Sequence, residues 1–505
     1  MTDARKRRAV LNILISLGCQ AITLLCGFIT PRYMLRAFGS EINGATASIT
    51  QFLGYIALLE GGIGGVARAV LYKPLAENNI EKISKIIAEV KHYFRVLAFI
   101  FLPYVLILAL GFKSLSHIEV LDWFSTAALV IVISLSTFAQ YFIGISYSIF
   151  LQAAQKTYIT QIISILATIL NTIVTVVLVT LRLNIIIVKL FSSCVFVLRP
   201  ICLMLYVKRH YHLISVPLSE NAELKQKWSG LGQHLAYFLH SNTDVAILTL
   251  FGSLKAVSVY SIYYMIVAHL QSITVSFSTG MEAIFGDMLA RREMNILHNT
   301  FGYYEILISL ITNILFSTAS VLLIPFIRVY TSNINDANYI EPIFGLILLI
   351  SSAIYCLRMP YHSMIIAAGH FKQTEKAAYG EAIINIGISL LLVHKFRLIG
   401  IAVGTLIATC FRFTYYAIYL SNNIFNRPIR LLMKRLLVDT LSFVVILFVG
   451  KIITSYMSIN NYQMWLIVAT VVFLISLMIT LIFNFAFYKN DSKVFIQRMM
   501  KHKQI

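Results

Sequence analysis

Long apolar runs separated by short polar connections make up most of the 505-residue chain. A helix needs about 20 apolar residues to cross roughly 30 Å of hydrocarbon, and these runs reach that length. They are continuous and lack the alternation of polar and apolar positions that barrel strands show. The pattern therefore predicts an all-α polytopic membrane protein with about 14 transmembrane helices. The predicted spans are 10–30, 42–66, 92–112, 124–150, 158–181, 183–207, 230–250, 256–280, 302–326, 342–367, 377–394, 399–421, 436–457 and 463–487.

Composition supports this prediction. Hydrophobic residues make up 59% of the chain and charged residues only 12%, whereas a soluble protein needs roughly a quarter of its residues charged. No predicted connection exceeds about 25 residues, which excludes a soluble catalytic or nucleotide-binding domain. The six cysteines lie in apolar runs without metal-ligand spacing, so we expect no disulfide framework and no metal site. We expect no cofactor either.

The chain carries 41 Lys and Arg against 21 Asp and Glu, a net charge of +20. In a membrane protein, basic residues collect in cytoplasmic connections, so this excess does not call for a nucleic-acid partner. With the N-terminus inside, the cytoplasmic segments hold about 27 Lys and Arg and the external ones about 8. This asymmetry predicts that both termini are cytoplasmic and that the number of spans is even.

The connection 73–91 is amphipathic. Ile80, Ile83, Ile86, Ile87 and Val90 follow one another at helical spacing, with Lys and Glu between them. The pattern predicts a short helix lying on the inner membrane surface.

The sequence contains a weak internal repeat. Phe-Gly-Ser at 38–40 recurs at 251–253, an offset of 213 residues, and Arg-Leu at 182–183 recurs at 397–398, an offset of 215. An offset of six spans keeps both halves in the same orientation, as in parallel transporter repeats, which bind substrate near the midplane between the halves.

The repeat predicts three regions. Residues 1–215 and 216–425 are two pseudo-symmetric six-helix lobes. Residues 426–505 hold two additional transmembrane helices and a cytoplasmic tail.

Several basic residues lie inside the predicted spans, where burying a charge is costly and function is the first hypothesis. Arg199 and Arg412 are separated by 213 residues, the repeat offset, so each lobe would present an arginine from its sixth helix. Arg358 lies mid-span, two residues before Pro360, and Lys189 lies near a span end. A cavity lined by guanidinium groups suits a phosphate-bearing ligand and predicts an anionic amphiphile as substrate.

A second interpretation is that each arginine pairs with an intramembrane acid and only holds helices together. The candidate acids for such pairing are Glu60, Asp244, Glu282 and Glu381. If transport is coupled to H⁺ or Na⁺, Glu60 and Asp244 are the acids expected to bind the coupling ion. Glu282 is a further candidate for coupling or ion pairing.

Short motifs punctuate the first 90 residues, with an echo at 358–360 and 367–372. They are Pro31, Phe38-Gly39-Ser40-Glu41-Ile42-Asn43-Gly44, Gln51-Phe52, Leu59-Glu60-Gly61-Gly62-Ile63-Gly64-Gly65 and Leu71-Tyr72-Lys73-Pro74-Leu75. Together they resemble bacterial polysaccharide-biosynthesis flippases of the multidrug/oligosaccharidyl-lipid/polysaccharide (MOP) exporter superfamily, which also holds lipid II flippases and multidrug and toxic-compound extrusion transporters.

The resemblance implies a transporter in the bacterial cytoplasmic membrane that is not an enzyme. Its substrate would be an undecaprenyl-pyrophosphate-linked oligosaccharide for capsule, exopolysaccharide or O-antigen synthesis. A polysaccharide polymerase and chain-length machinery are the implied partners beside the lipid bilayer. The family's cationic cavity maps onto Arg199, Arg358 and Arg412, and the driving force is the membrane potential, H⁺ or Na⁺.

Two alternatives stay open at this stage. One is a cation-coupled multidrug exporter of the same superfamily, which the basic intramembrane residues disfavour. The other is a membrane polysaccharide polymerase, which usually needs a large external loop, whereas the longest external segment here, 328–341, is short.

Overall fold

The computed structural model describes residues 3–60, 63–214, 231–278, 280–425 and 427–488. Within these ranges the chain is helical and contains no strand. Short 3₁₀ or π segments lie at Tyr55–Glu60, Gln140–Gly144 and Ser421–Phe425. The described α-helices are α1 (Asp3–Gly54), α2 (Ile63–Ala76), α3 (Ile80–Ser116), α4 (Trp123–Ala139), α5 (Ile145–Ala153), α6 (Thr157–Thr180), α7 (Ile185–His210), α8 (Leu231–Phe251), α9 (Leu254–Ser276), α10 (Met281–Ala290), α11 (Met294–Tyr330), α12 (Pro342–Ala367), α13 (Phe371–Leu420), α14 (Arg430–Tyr456) and α15 (Tyr462–Phe487).

Eleven segments of the described chain are long and apolar enough to cross a membrane, which confirms a polytopic all-α membrane protein. Two of them are much longer than one crossing: Gly18–Glu60 has 43 residues and Phe371–Phe425 has 55. Each contains one residue with non-helical backbone angles, Gly39 (φ 79°) and Arg397 (φ 47°).

The chain reverses direction at Arg397. Tyr419, near the end of α13, shares a hydrogen bond of 2.9 Å with His370, the residue that precedes α13. The two ends of this 50-residue helix therefore meet, which requires a turn between them.

The chain divides into two compact units, residues 1–259 and 260–505. In the first, α1 packs on α6, α6 on α7, α7 on α4 and α4 on α3 around a large apolar core. Helix α8 contacts α1 and α3 and so belongs to this unit. The predicted lobe boundary at 215/216 lies outside the described residues, as does the predicted cytoplasmic tail after residue 488.

In the second unit, α11 contacts α12, α14 and α15, and α12 packs along α13. Its main core is aromatic and includes Phe285, Phe301, Tyr304, Tyr361 and Tyr416. A smaller apolar cluster joins α11 to α14 and α15 around Leu322, Val468 and Val472.

The amphipathic stretch predicted as a separate surface helix is instead the beginning of α3. This helix runs without a break from Ile80 to Ser116, and Ile83, Ile87 and Val90 are buried in the first unit's core. Its 37 residues span roughly 55 Å, which is longer than the thickness of the bilayer's hydrocarbon. The apolar face covers protein rather than lipid.

Residues with left-handed backbone angles recur at a fixed spacing. Four pairs, each separated by 214 to 216 residues, have a positive φ: Asn78 and Arg292, His117 and Asn333, Gln155 and Gly369, and Arg182 and Arg397. All but Arg397 lie in short connections between helices, and Arg397 marks the reversal within α13. The chain therefore turns at equivalent points in both parts of the sequence.

A close polar contact joins the second half of α1 to α8 and α9 within the first unit. Asn43 donates to Ser258 (2.8 Å), Ser48 lies 2.7 Å from Thr249, and all four side chains are buried. At Gly44 the backbones approach so closely that an added Cβ would overlap the carbonyl oxygen of Leu254.

We expect Gly44→Ala to destabilise the protein by about 1–3 kcal/mol, because the helices must separate to admit the methyl group. The apparent unfolding temperature in detergent, followed by fluorescence-detected size-exclusion chromatography, measures this effect. Gly18→Ala in the same helix is the matched control, since a Cβ at Gly18 meets nothing within 4 Å. Equal unfolding temperatures for both variants would contradict the close approach.

Candidate functional site

Two of the predicted arginines share one glutamate inside the second unit. Arg358 on α12 donates to Glu381 Oε1 at 2.6 Å, and Arg412 donates to Glu381 Oε2. Glu381 and Arg412 lie on α13, on either side of the reversal at Arg397. Arg358, Arg412 and Glu381 are 2%, 4% and 0% exposed, so the cluster is enclosed by protein.

Aromatic side chains complete this cluster. Tyr416 Oη accepts hydrogen bonds from Arg412 Nε (3.1 Å) and Nη2 (2.9 Å). The guanidinium of Arg358 lies 4.6 Å from the ring centroid of Tyr355, and the His362 ring stacks on Tyr416. Tyr355, Arg358 and His362 share one face of α12 at three- and four-residue spacing, so a single helix face presents them all.

The cluster carries more positive than negative charge. Among the described residues, Glu381 is the only carboxylate within 4 Å of either arginine. Arg358 Nε is also buried without a hydrogen-bond partner in the described part of the chain. A buried charge that is not fully paired is costly, so this arrangement favours an added anion.

A second ionic cluster lies in the same unit and was missed in the sequence. Glu305 on α11 pairs with Arg427 (2.8 Å) and Arg435 (2.5 Å) and accepts a hydrogen bond from Tyr361. Both arginines lie in the predicted connection between the spans 399–421 and 436–457, where basic residues are expected from topology alone. The available signal was an acid, Glu305, near the start of an apolar run, with a second acid, Asp439, early in a later run.

The other predicted arginine and lysine lie in the first unit, on α7. Arg199 is partly buried, and its Nε has no hydrogen-bond partner among the described residues. Lys189 is also partly buried but lies ten residues earlier, roughly 15 Å along the helix, so the two do not form one site.

The three predicted acids differ in environment. Glu60 accepts a hydrogen bond of 2.5 Å from Tyr141, and Asp244 is buried in α8. Glu282, on α10, is exposed. The remaining acid, Glu381, is the one that the structure brings to predicted arginines. The described residues contain no cluster of three or more His, Cys, Asp or Glu side chains that would hold a metal ion.

Comparison with known proteins identifies the fold. No family model matches the sequence, and no curated protein matches it. Solved structures do match. The lipid II flippase MurJ in an inward closed conformation matches with a TM-score of 0.72 at 15% identity. The match covers 95% of this chain and 99% of the MurJ chain.

Multidrug transporters match as well. An inward-facing MATE family transporter of the MOP superfamily has a TM-score of 0.59 at 16% identity, covering 81% of this chain and 98% of its own. The MATE multidrug transporter DinF-BH has a TM-score of 0.59 at 18% identity, covering 84% of this chain and 96% of its own. These neighbours are a lipid II flippase and multidrug transporters, and this multi-pass membrane protein shares their fold.

Proposed function

We propose that this protein is a flippase that moves undecaprenyl-pyrophosphate-linked oligosaccharide repeat units across the bacterial cytoplasmic membrane by alternating access. The product would feed synthesis of capsule, exopolysaccharide or O-antigen. The observation that carries this proposal is the enclosed cluster in which Arg358 and Arg412 share the single carboxylate of Glu381.

The chemistry of this cluster fits a pyrophosphate. Guanidinium groups donate paired hydrogen bonds to phosphate oxygens and stay protonated. A cluster with two guanidiniums and one carboxylate attracts an anion and repels a cationic drug. The fold match to a lipid II flippase supports a lipid-linked substrate for this chain as well.

The architecture that we propose has fourteen transmembrane passes. Gly18–Glu60 and Phe371–Phe425 supply two passes each, and α8 supplies one more. The paired positive-φ residues support two six-helix lobes, 1–215 and 216–425, related by a parallel repeat. Residues 426–505 then add α14, α15 and the tail.

Orientation follows from charge. Arg291 and Arg292 precede α11, and Arg430 and Lys434 lie at the start of α14. Basic residues at these helix ends support a cytoplasmic location for both termini. Polysaccharide polymerase and chain-length machinery are the partners that such a pathway requires.

Two basic residues of the first lobe are further candidates for contact with substrate. Arg199 would be the first lobe's counterpart of Arg412, since they are separated by the repeat offset, and Lys189 would add charge on the same helix. Outward movement of an anionic headgroup down an inside-negative potential supplies roughly 2.3 kcal/mol per charge per 100 mV. If a cation is coupled instead, Asp244 and Glu60 would carry it, with Glu282 as an ion-pairing acid.

Replacing the arginines tests the substrate site. We expect Arg358→Gln, Arg412→Gln and Arg199→Gln together to abolish surface polysaccharide and to leave lipid-linked repeat units on the cytoplasmic side, because the pyrophosphate loses its donors. Quantifying both glycans in a deletion strain complemented with each variant measures this loss.

Lys451→Gln is the matched control, because Lys451 is a basic residue in α14 with an exposed side chain. Membrane levels of all variants are measured by immunoblot. Full polysaccharide synthesis in the triple variant would exclude the arginine site. Drug resistance conferred on a sensitive host, without any glycan phenotype, would favour the multidrug exporter alternative.

Removing the shared carboxylate tests the charge balance. We expect Glu381→Gln to destabilise the protein by about 3–5 kcal/mol, because both guanidiniums lose their buried partner. Arg358→Gln should cost much less, because it leaves Arg412 and Glu381 as a neutral pair. The apparent unfolding temperatures of the purified variants in detergent test this order.

Asp287→Asn controls for loss of an ordinary ion pair, since the Asp287–Arg291 pair is exposed on both sides. Exposed pairs contribute about 0–1 kcal/mol, so little change is expected. Greater destabilisation by Arg358→Gln than by Glu381→Gln would show that the cluster has no surplus positive charge.

A further inference from the structure

A cavity of about 210 Å³ opens in the second unit, at the end where α11 and α14 begin. Its walls include His298, Asn299, Gly302 and Tyr303 from the first turns of α11, with Arg427 and Arg435 opposite them. It is smaller than the roughly 300–1,000 Å³ of sites that enclose a drug-sized ligand. The cavity therefore has room for a single headgroup.

The cavity wall is basic. Arg427 and Arg435 turn toward Glu305, but among the described residues that line the cavity there is neither Glu305 nor any other acid. Asp439 accepts a hydrogen bond from Ser309 and is not among the residues that line the cavity. The exposed ring of His298 and the exposed amide of Asn299 add hydrogen-bonding groups at the opening.

The cavity lies where apolar and basic surfaces meet. Ile296, Ile429 and Met433 are large apolar residues with exposed side chains close in sequence to its lining residues. Arg430 and Lys434, also exposed, flank Arg427 and Arg435 along the chain. An apolar rim beside basic residues is typical of a helix end at the cytoplasmic membrane surface, where anionic lipids concentrate.

We propose that this cavity binds the phosphate group of an anionic membrane lipid. Arg427 and Arg435 donate charge-assisted hydrogen bonds to the phosphate oxygens, and His298 and Asn299 contact it from α11. The acyl chains lie against the exposed apolar residues of α14. This inference does not depend on the transported substrate, because none of these residues belongs to the Glu381 cluster.

Gly302 provides a selective test. It lines the cavity, and a Cβ there meets nothing within 4 Å, so a larger side chain occupies empty space without touching the ion pairs. Binding of dioctanoyl-phosphatidylglycerol to the purified full-length chain in detergent is measured by native mass spectrometry and thermal-shift titration. Dioctanoylglycerol, which has the chains but no phosphate, and inorganic phosphate are the comparison ligands.

We expect Gly302→Leu to weaken phosphatidylglycerol binding about tenfold or more, by excluding the phosphate from its donors. Gly302→Ala, the matched control, should bind nearly as the unchanged protein does. Arg427→Gln should weaken binding similarly while Arg435 keeps Glu305 paired. The unfolding temperature without lipid shows that each variant is folded.

Three results would overturn the proposal. If Gly302→Leu and Arg427→Gln bind phosphatidylglycerol as tightly as the unchanged protein, the lipid does not occupy this cavity. If inorganic phosphate binds as tightly as the lipid and competes with it, the ligand is a soluble phosphate. Binding of dioctanoylglycerol equal to that of phosphatidylglycerol would likewise exclude recognition through phosphate.

Discussion

A guanidinium group stays protonated at any accessible pH, so each arginine within a membrane helix must find a carboxylate or reach water. The second unit meets this constraint with two glutamates, each of which binds two arginines. Glu381 joins α12 to both halves of α13, and Glu305 joins α11 to the start of α14. Helix pairs that share a buried ion pair cannot slide past each other without exposing a charge to hydrocarbon. These two clusters therefore fix the relative positions of α11 to α14.

The apolar spans were predictable from sequence because each crossing of the bilayer needs a minimum apolar length. The pairing of charges was not predictable. Glu381 is one of several acids in or near the predicted spans, and its pairing with Arg412 depends on the reversal of the chain at Arg397. Arg427 and Glu305 are separated by 122 positions, so no local pattern connects them. The prediction of a separate surface helix at the start of α3 was wrong for a related reason. Periodicity identifies an apolar face but does not show whether lipid or protein covers that face.

The internal repeat is clearer in the backbone than in the side chains. Asn78 and Arg292 have different side chains but the same left-handed conformation, as do His117 and Asn333. Only one of the four pairs keeps its residue type, the arginines at 182 and 397. Left-handed backbone costs a non-glycine residue roughly 1–2 kcal/mol, so it persists where two packed helices demand a tight turn. A comparison of residue types detects only side-chain identity, and for this reason the repeat is weak in the sequence.

The two ionic clusters differ in a way that bears on transport. The Glu381 cluster is enclosed by protein, whereas Arg427 and Arg435 also line a cavity that opens at the start of α11 and α14. In the proposed function, the Glu381 cluster is the one that an anionic substrate would complete. In the proposed cycle, Glu381 would hold both guanidiniums when substrate is absent, so the empty protein would not bury two unpaired charges. Because Glu381 competes with the pyrophosphate for the same donors, it would weaken substrate binding enough to permit release. A carboxylate shared by two arginines would thus allow both capture and release at one site.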